Sequence, residues 1–246
     1  MFVHDWGCTS RIWKDVVMHL GAFLCITYDQ RGWGRTQPAN GSSYTLDIFS
    51  GDVSALVRQL NGKEFVLVAH GIGGRVALRF AERKPVGLAG MVLIACSPAW
   101  TSDSDSHKSE ERYALLLEEP TLPDWLRLAT RMKLGWQTRQ KLLEDARSGS
   151  DTAKRSWRAL EADDDLKPSL NSITCPVIVV GAELDSFYDI DSQRLLACAI
   201  PNASFQLFEG CGHLLPVEQS SRLAEVIARF ASTHTRLDVS GATYRM

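Results

Sequence analysis

The stretch Phe65-Val66-Leu67-Val68-Ala69-His70-Gly71-Ile72-Gly73-Gly74 decides the reading of this chain. Its first five residues form an unbroken apolar run, the pattern of a strand buried on both faces. The glycines that follow break that strand, and a helix is expected from there through Phe80. Small residues stand two places before and two places after Gly71. A strand that reverses sharply into a helix requires this, because larger side chains at either position would clash. A glycine-rich turn of this kind can also cradle a phosphate on free backbone N–H groups. Neither GxGxxG nor the Lys-Ser/Thr ending of a P-loop is present, so the phosphate reading lacks its remaining residues.

Outward from this turn, apolar strand-like runs alternate with helical patterns, which predicts an α/β architecture with a mostly parallel sheet flanked by helices. Phe2-Val3 ends a strand, and helical spacing follows at Trp13, Val16, Val17 and Leu20. A strand over residues 22–28 leads into the turn Asp29-Gln30-Arg31-Gly32-Trp33-Gly34. Phe49, Val53, Leu56, Val57 and Leu60 share one helical face. C-terminal to the glycine turn, strands are expected over residues 91–95, 176–180 and 204–208. A closing helix carries Leu223, Val226, Ile227 and Phe230 on one stripe. Residues 101–170 have a different rhythm, with charges, tryptophans and helical spacing but no strand run. This predicts a core of residues 1–100 and 171–246 interrupted by a helical cap.

Composition excludes several classes. With 246 residues, a formal charge of −2 and 23% charged residues, the chain has no electrostatic footprint for nucleic acid. No apolar run approaches the roughly 20 residues of a membrane-spanning helix. Six scattered cysteines without CxxC spacing argue against zinc or a disulfide framework, and with no signal-peptide layout they point to a cytoplasmic setting. No cofactor signature is present. The triplet Asp163-Asp164-Asp165 reads as a solvated loop rather than a metal site. The expected partner is a small molecule, and a homodimer is left open.

Three further motifs carry chemistry. His213 lies in the glycine-flanked loop Glu209-Gly210-Cys211-Gly212-His213 after the last strand, where an imidazole can reach the Gly71 turn as a general base. Asp185 follows the strand before it and can accept the other ring N–H, fixing the tautomer; Glu183 and Asp189 could serve in its place. Alone, each has a bland reading, a structural histidine and a turn aspartate. Their chain order, with Gly71 first, Asp185 second and His213 last, lifts them together. The third motif, Val3-His4-Asp5-Trp6-Gly7, sits where a loop can present a backbone N–H, so the amides of Trp6 and Ile72 are the expected pair of oxyanion donors.

These residues resemble the α/β-hydrolase superfamily. His4-Asp5-Trp6-Gly7 resembles its HGxG loop and residues 29–36 its DxRGxGxS turn, while residues 69–74 look like its GHSxGG elbow and Gly212-His213 like its catalytic-histidine loop. The resemblance covers about residues 2–232 and implies the α/β-hydrolase fold. It also exposes three departures. The chain opens at what would be the family's third strand, so the first two are apparently missing. Asp5 replaces a glycine, and an anion there would oppose a developing oxyanion unless it points away or is protonated. Gly71 stands where the family keeps its serine, so no acyl-enzyme can form there.

Asp5 can also be read as a nucleophile, as in haloalkane dehalogenases, but its place ahead of both the Asp29 turn and the Gly71 turn favours the oxyanion loop. Ser97 and Cys8 are nearby candidates for a replacement nucleophile, although neither has elbow geometry. Three functions remain open. The first is acid–base chemistry by His213 and Asp185 without serine, of lyase, isomerase, decarboxylase or cofactor-free dioxygenase type. The second is an ester or lactone hydrolase disabled at Gly71, for which Gly71→Ser restores chemistry. The third is a non-catalytic small-molecule binding protein. His4, Asp5, His70, Trp100, Trp125 and Trp136 are expected to line a pocket for a small, largely apolar carbonyl-containing or aromatic substrate.

Overall fold

A computed structural model of the protein describes residues 1–36, 44–96, 99, 114–115, 121–156, 160 and 165–235. Its centre is a sheet of five parallel strands in sequential order: β1 (Phe2–Val3), β2 (Phe65–His70), β3 (Leu88–Ile94), β4 (Val177–Ala182) and β5 (Ala203–Phe208). All six residues of β2 are buried, as its unbroken apolar run requires of a central strand covered on both sides. Val3 pairs with Ala69, and His70 with Ile94, so the C-terminal ends of β1, β2 and β3 come level.

Residues 22–28 were expected to form a strand, but only Thr27 pairs, as a single parallel bridge to Phe2. The reason is the partner. β1 offers two residues, and its edge beyond Phe2 N–H donating to the Ile26 carbonyl gives nothing further to extend a ladder. Leu24 is correspondingly exposed. That bridge still fixes the topology. The chain leaves β1 to one side, towards Thr27, and returns to the other side, to β2. The β1–β2 boundary is therefore the point where the winding reverses, and crevices at carboxyl ends of strands open at such points.

The helices are α1 (Lys14–Met18), α2 (Leu46–Arg58), α3 (Gly73–Ala81), α4 (Leu122–Ala129), α5 (Trp136–Arg147), α6 (Asp151–Arg155), α7 (Ile190–Ala199), α8 (Leu215–Glu218) and α9 (Ser220–His234). α1 packs with α9, and α2 with α3. Leu223, Val226, Ile227 and Phe230 of α9 are buried along one stripe, as their spacing predicts. α4, α5 and α6 occupy the chain between β3 and β4, the interval read from sequence as a helical insertion.

The start of α3 differs from that of α2. Thr45 caps α2 by accepting from the Ile48 amide, whereas no side chain within α3 caps its first turn. Those amides are left for a partner from elsewhere in the fold. Gly73 lets that partner approach, since a Cβ there would lie 2.7 Å from the His4 carbonyl oxygen and 3.0 Å from that of Val3. No helix among the described residues is long and apolar enough to cross a membrane.

Candidate active site

Gly71 has φ of +56°, the left-handed conformation that a sharp strand-to-helix turn imposes and that glycine adopts without strain. The space above it is occupied. A Cβ at residue 71 would collide with Oδ1 and Cγ of Asp5 and lie 2.7 Å from Oδ2. The Asp5 carboxylate, delivered by the loop after β1, thus fills the position from which the turn would otherwise present a side chain.

Every bond the carboxylate makes is buried. Oδ1 accepts from the Ile72 amide at 2.7 Å, at the uncapped start of α3. Oδ2 lies 2.8 Å from His213 Nε2, and His213 Nδ1 lies 2.9 Å from Asp185 Oδ2. Asp185 is in turn fixed by a turn of its own, its Oδ1 accepting from the amides of Phe187 at 2.7 Å and Tyr188 at 3.2 Å. The imidazole is therefore held in line between two carboxylates.

The charges follow from this arrangement. Burial works to lower the His213 pKa, but the charge and hydrogen bond of Asp185, joined by those of Asp5, overcome it and raise the value to about 10. Burial likewise opposes ionisation of Asp5, yet the His213 hydrogen bond and charge, with the Ile72 amide, hold its pKa below the usual carboxylate value. At neutral pH the site is an imidazolium between carboxylates. Asp5 neither points away from the turn nor is protonated, and the Ile72 amide, expected from sequence to be an oxyanion donor, is committed to its carboxylate.

The remaining expected site residues divide sharply. His4 is fully buried and holds the loop, with Nδ1 donating to the Asp5 carbonyl at 2.8 Å and Nε2 accepting from the Gln30 amide at 2.9 Å. Gln30 Nε2 closes the knot on the His4 carbonyl at 2.6 Å. His70 Nε2 donates to the His213 carbonyl at 2.8 Å, and burial lowers its pKa to about 4. Both histidines, expected to line a pocket, are instead braces that hold backbone. Trp6 packs edge-on against Trp33 and Phe49, and its Nε1 donates to the Ala153 carbonyl of α6 at 2.9 Å. Trp125 is buried, but Trp136 is 75% exposed at the start of α5 and does not close over a buried site. Trp100 and Ser97 lie outside the described residues.

Cys8, Glu183 and Asp189 are each unfitted by their surroundings for the roles their positions suggest. Cys8 is fully buried, and burial with the charges of Asp5 and Asp145 raises its thiol pKa well above the usual value, so no thiolate is available. Glu183 accepts from the Gly210 amide and Asp189 caps α7, leaving Asp185 to address the ring. Asp5, His70 and His213 bring three ligand-type atoms within 4.8 Å of one another. A metal ion there would have to displace the proton that His213 shares with its two carboxylates.

Sequence reasoning missed Glu218. Its carboxylate accepts from the Gly212 amide at 3.0 Å and the Arg131 amide at 3.3 Å, pinning the histidine loop to the segment after α4. The only signal for it is a carboxylate one turn into the helix after that loop. Phe187 and Tyr188, whose rings stand 4.8 Å and 5.6 Å from that of His213, were also missed. Their signal is their position two and three residues after Asp185.

The chain belongs to the alpha/beta hydrolase family, whose model matches residues 1–228. It is 26% identical over 231 residues to the pimeloyl-[acyl-carrier protein] methyl ester esterase of Aromatoleum aromaticum, covering 87% of this chain and 90% of that protein. In structure it is similar to a thermophilic esterase from Thermogutta terrifontis, with a TM-score of 0.82, 21% identity and coverage of 95% and 89% of the two chains. It is also similar to the enol-lactonase from Burkholderia xenovorans LB400, with a TM-score of 0.81, 19% identity and coverage of 94% and 90%.

Proposed function

We propose that this chain is a hydrolase for a small, largely apolar substrate, built on an ester- and lactone-cleaving site from which the serine route has been removed. One observation carries the reading: His213, backed by Asp185, aims Nε2 at the space above Gly71, where a serine hydroxyl would receive it, and finds the Asp5 carboxylate there. The esterase relative supports hydrolysis as the inherited reaction class. Acid–base chemistry without a nucleophile has less support, because a histidine with its pKa near 10 is already protonated at neutral pH and cannot begin by abstracting a proton.

The serine route is closed twice, by the missing hydroxyl and by the carboxylate in its place, so Gly71→Ser alone does not reopen it. The test is hydrolysis of short aryl esters and lactones by three proteins: wild type, Gly71→Ser, and Asp5→Gly with Gly71→Ser. Turnover is expected from the double variant only. Equal activity in the single variant would show that Asp5 does not block the site. An inert but folded double variant that binds none of the esters would overturn the reading.

A further inference from the structure

The chain between β3 and β4 carries a surface that the groups over Gly71 do not use. Residues 125–143 contain Arg127, Arg131, Lys133, Arg139 and Lys141 and no acidic residue, in a chain whose formal charge is −2. Within this stretch, residues 131–139 run from the end of α4 through the first turn of α5. All of them are exposed except the half-buried Leu134.

A solvated connector is ordinarily polar, and this one is not. Trp136, Arg139, Leu143 and Ala146 recur along one stripe of α5. Leu143 and Ala146 are buried, but at the first turn the same stripe runs out past the body of the protein and leaves Trp136 75% exposed. Met132, four residues earlier and so within about 14 Å along the chain, is 47% exposed. The segment is nonetheless held firmly. Arg131 Nε donates to the Leu184 carbonyl at 3.1 Å, and its guanidinium also donates to Ser186 Oγ. The Leu214 amide donates to the Ala129 carbonyl at 3.0 Å. The apolar tip is therefore bolted to the loops that carry Asp185 and His213, at the carboxyl ends of the strands.

The charges select what covers it. Neither Lys133 nor Arg139 has an ion pair or a side-chain hydrogen bond among the described residues. The acids bordering the stretch are engaged elsewhere, Asp124 with Arg127, Glu144 with Arg11, and Glu183 with the Gly210 amide. Tryptophan settles at the boundary between the acyl chains and headgroups of a bilayer, and lysine and arginine beside it meet lipid phosphate. A soluble acidic partner would satisfy the cations but would need an apolar pocket of its own for Trp136. We propose that residues 131–139 dock the protein on an anionic lipid surface, with Trp136 and Met132 seated among the headgroups and Lys133 and Arg139 on their phosphates. Docking of this kind needs no turnover, so it stands apart from the hydrolase reading.

The experiment measures partitioning of the wild-type protein by flotation with vesicles of phosphatidylcholine alone and of an equal mixture of phosphatidylcholine and phosphatidylglycerol. Binding is expected to the mixed vesicles only, and to weaken as salt is raised. Lys133→Gln with Arg139→Gln should weaken partitioning about fivefold per charge, about 25-fold for the pair. Trp136→Ser should also weaken it while leaving the melting temperature unchanged, since that side chain is exposed. Arg58→Gln with Lys63→Gln removes two exposed, unpaired cations near the opposite, N-terminal end of β2 and should leave partitioning as in wild type. No flotation with the mixed vesicles, equal losses in the two double variants, or undiminished binding by Trp136→Ser would overturn the proposal. Retention on immobilised polyglutamate without flotation would overturn it in favour of an acidic protein partner.

Discussion

Asp5 and Gly71 compete for one volume, and that competition can be measured without knowing any substrate. Placing a methyl group at residue 71 by Gly71→Ala brings two costs. A non-glycine residue at φ +56° is strained by about 1–2 kcal/mol. The Cβ also overlaps Oδ1 and Cγ of Asp5, an over-packing of about 1–3 kcal/mol. Gly71→Ala should therefore destabilise by about 2–5 kcal/mol, which in a chain of this length lowers the melting temperature by on the order of 10 °C. In an Asp5→Gly background the overlap is gone and only the backbone strain remains. The four proteins of the double-mutant cycle, melted by calorimetry or circular dichroism, should show a coupling of about 1–3 kcal/mol. Additive effects, within about 0.5 kcal/mol, would mean that the carboxylate does not stand over Gly71, and the site chemistry argued from it would fall.

Two other outcomes follow from the buried groups. His213, raised to about 10 by its two carboxylates, contributes stability that is complete below its ordinary value of 6.5 and is lost as pH rises towards 10. His70, lowered to about 4 by burial, acts on the acid side, where the unfolded chain takes up its proton first and stability falls between pH 6.5 and 4. Denaturant midpoints measured across pH should trace a dome near neutrality, and His213→Gln should flatten its alkaline limb; an unchanged limb would contradict the imidazolium assignment. Trp6→Phe keeps the ring packing but removes the 2.9 Å bond to the Ala153 carbonyl, which still accepts from the Ser156 hydroxyl and amide, so the cost is that of one hydrogen bond, about 0.5–1.5 kcal/mol in thermal stability. A melting temperature equal to wild type would show that this bond does not anchor the loop to α6.

Much of the fold and part of the site were legible in the sequence, for reasons that differ by residue. β2 and α3 were readable because a run of buried apolar residues and a glycine turn are local signals. His213 and Asp185 followed from their place after successive strands, and the geometry unites them as expected. The direction of Asp5 was not readable. Local grammar makes residues 4–7 a donor loop, while the orientation of the side chain depends on an absent Cβ 66 positions later. The roles of His4 and His70 were hidden for a similar reason, since each is settled by a backbone carbonyl or amide brought in from a distant segment. Residues 22–28 carry strand propensity, but a strand also needs a partner of matching length, and a two-residue β1 does not supply one.

The crowding at Gly71 also imposes an order on any rebuilding of the site. While any side chain stands at residue 71, a carboxylate at residue 5 has nowhere to settle, and the loop that carries it is braced too firmly by His4 and Gln30 to step aside. Starting from a serine at 71 and a glycine at 5, as in the family pattern, the route through aspartate first passes through a clashing intermediate. The route through glycine first passes only through a protein with an empty notch. A laboratory conversion to the family pattern therefore has to remove Asp5 before a side chain is built at residue 71.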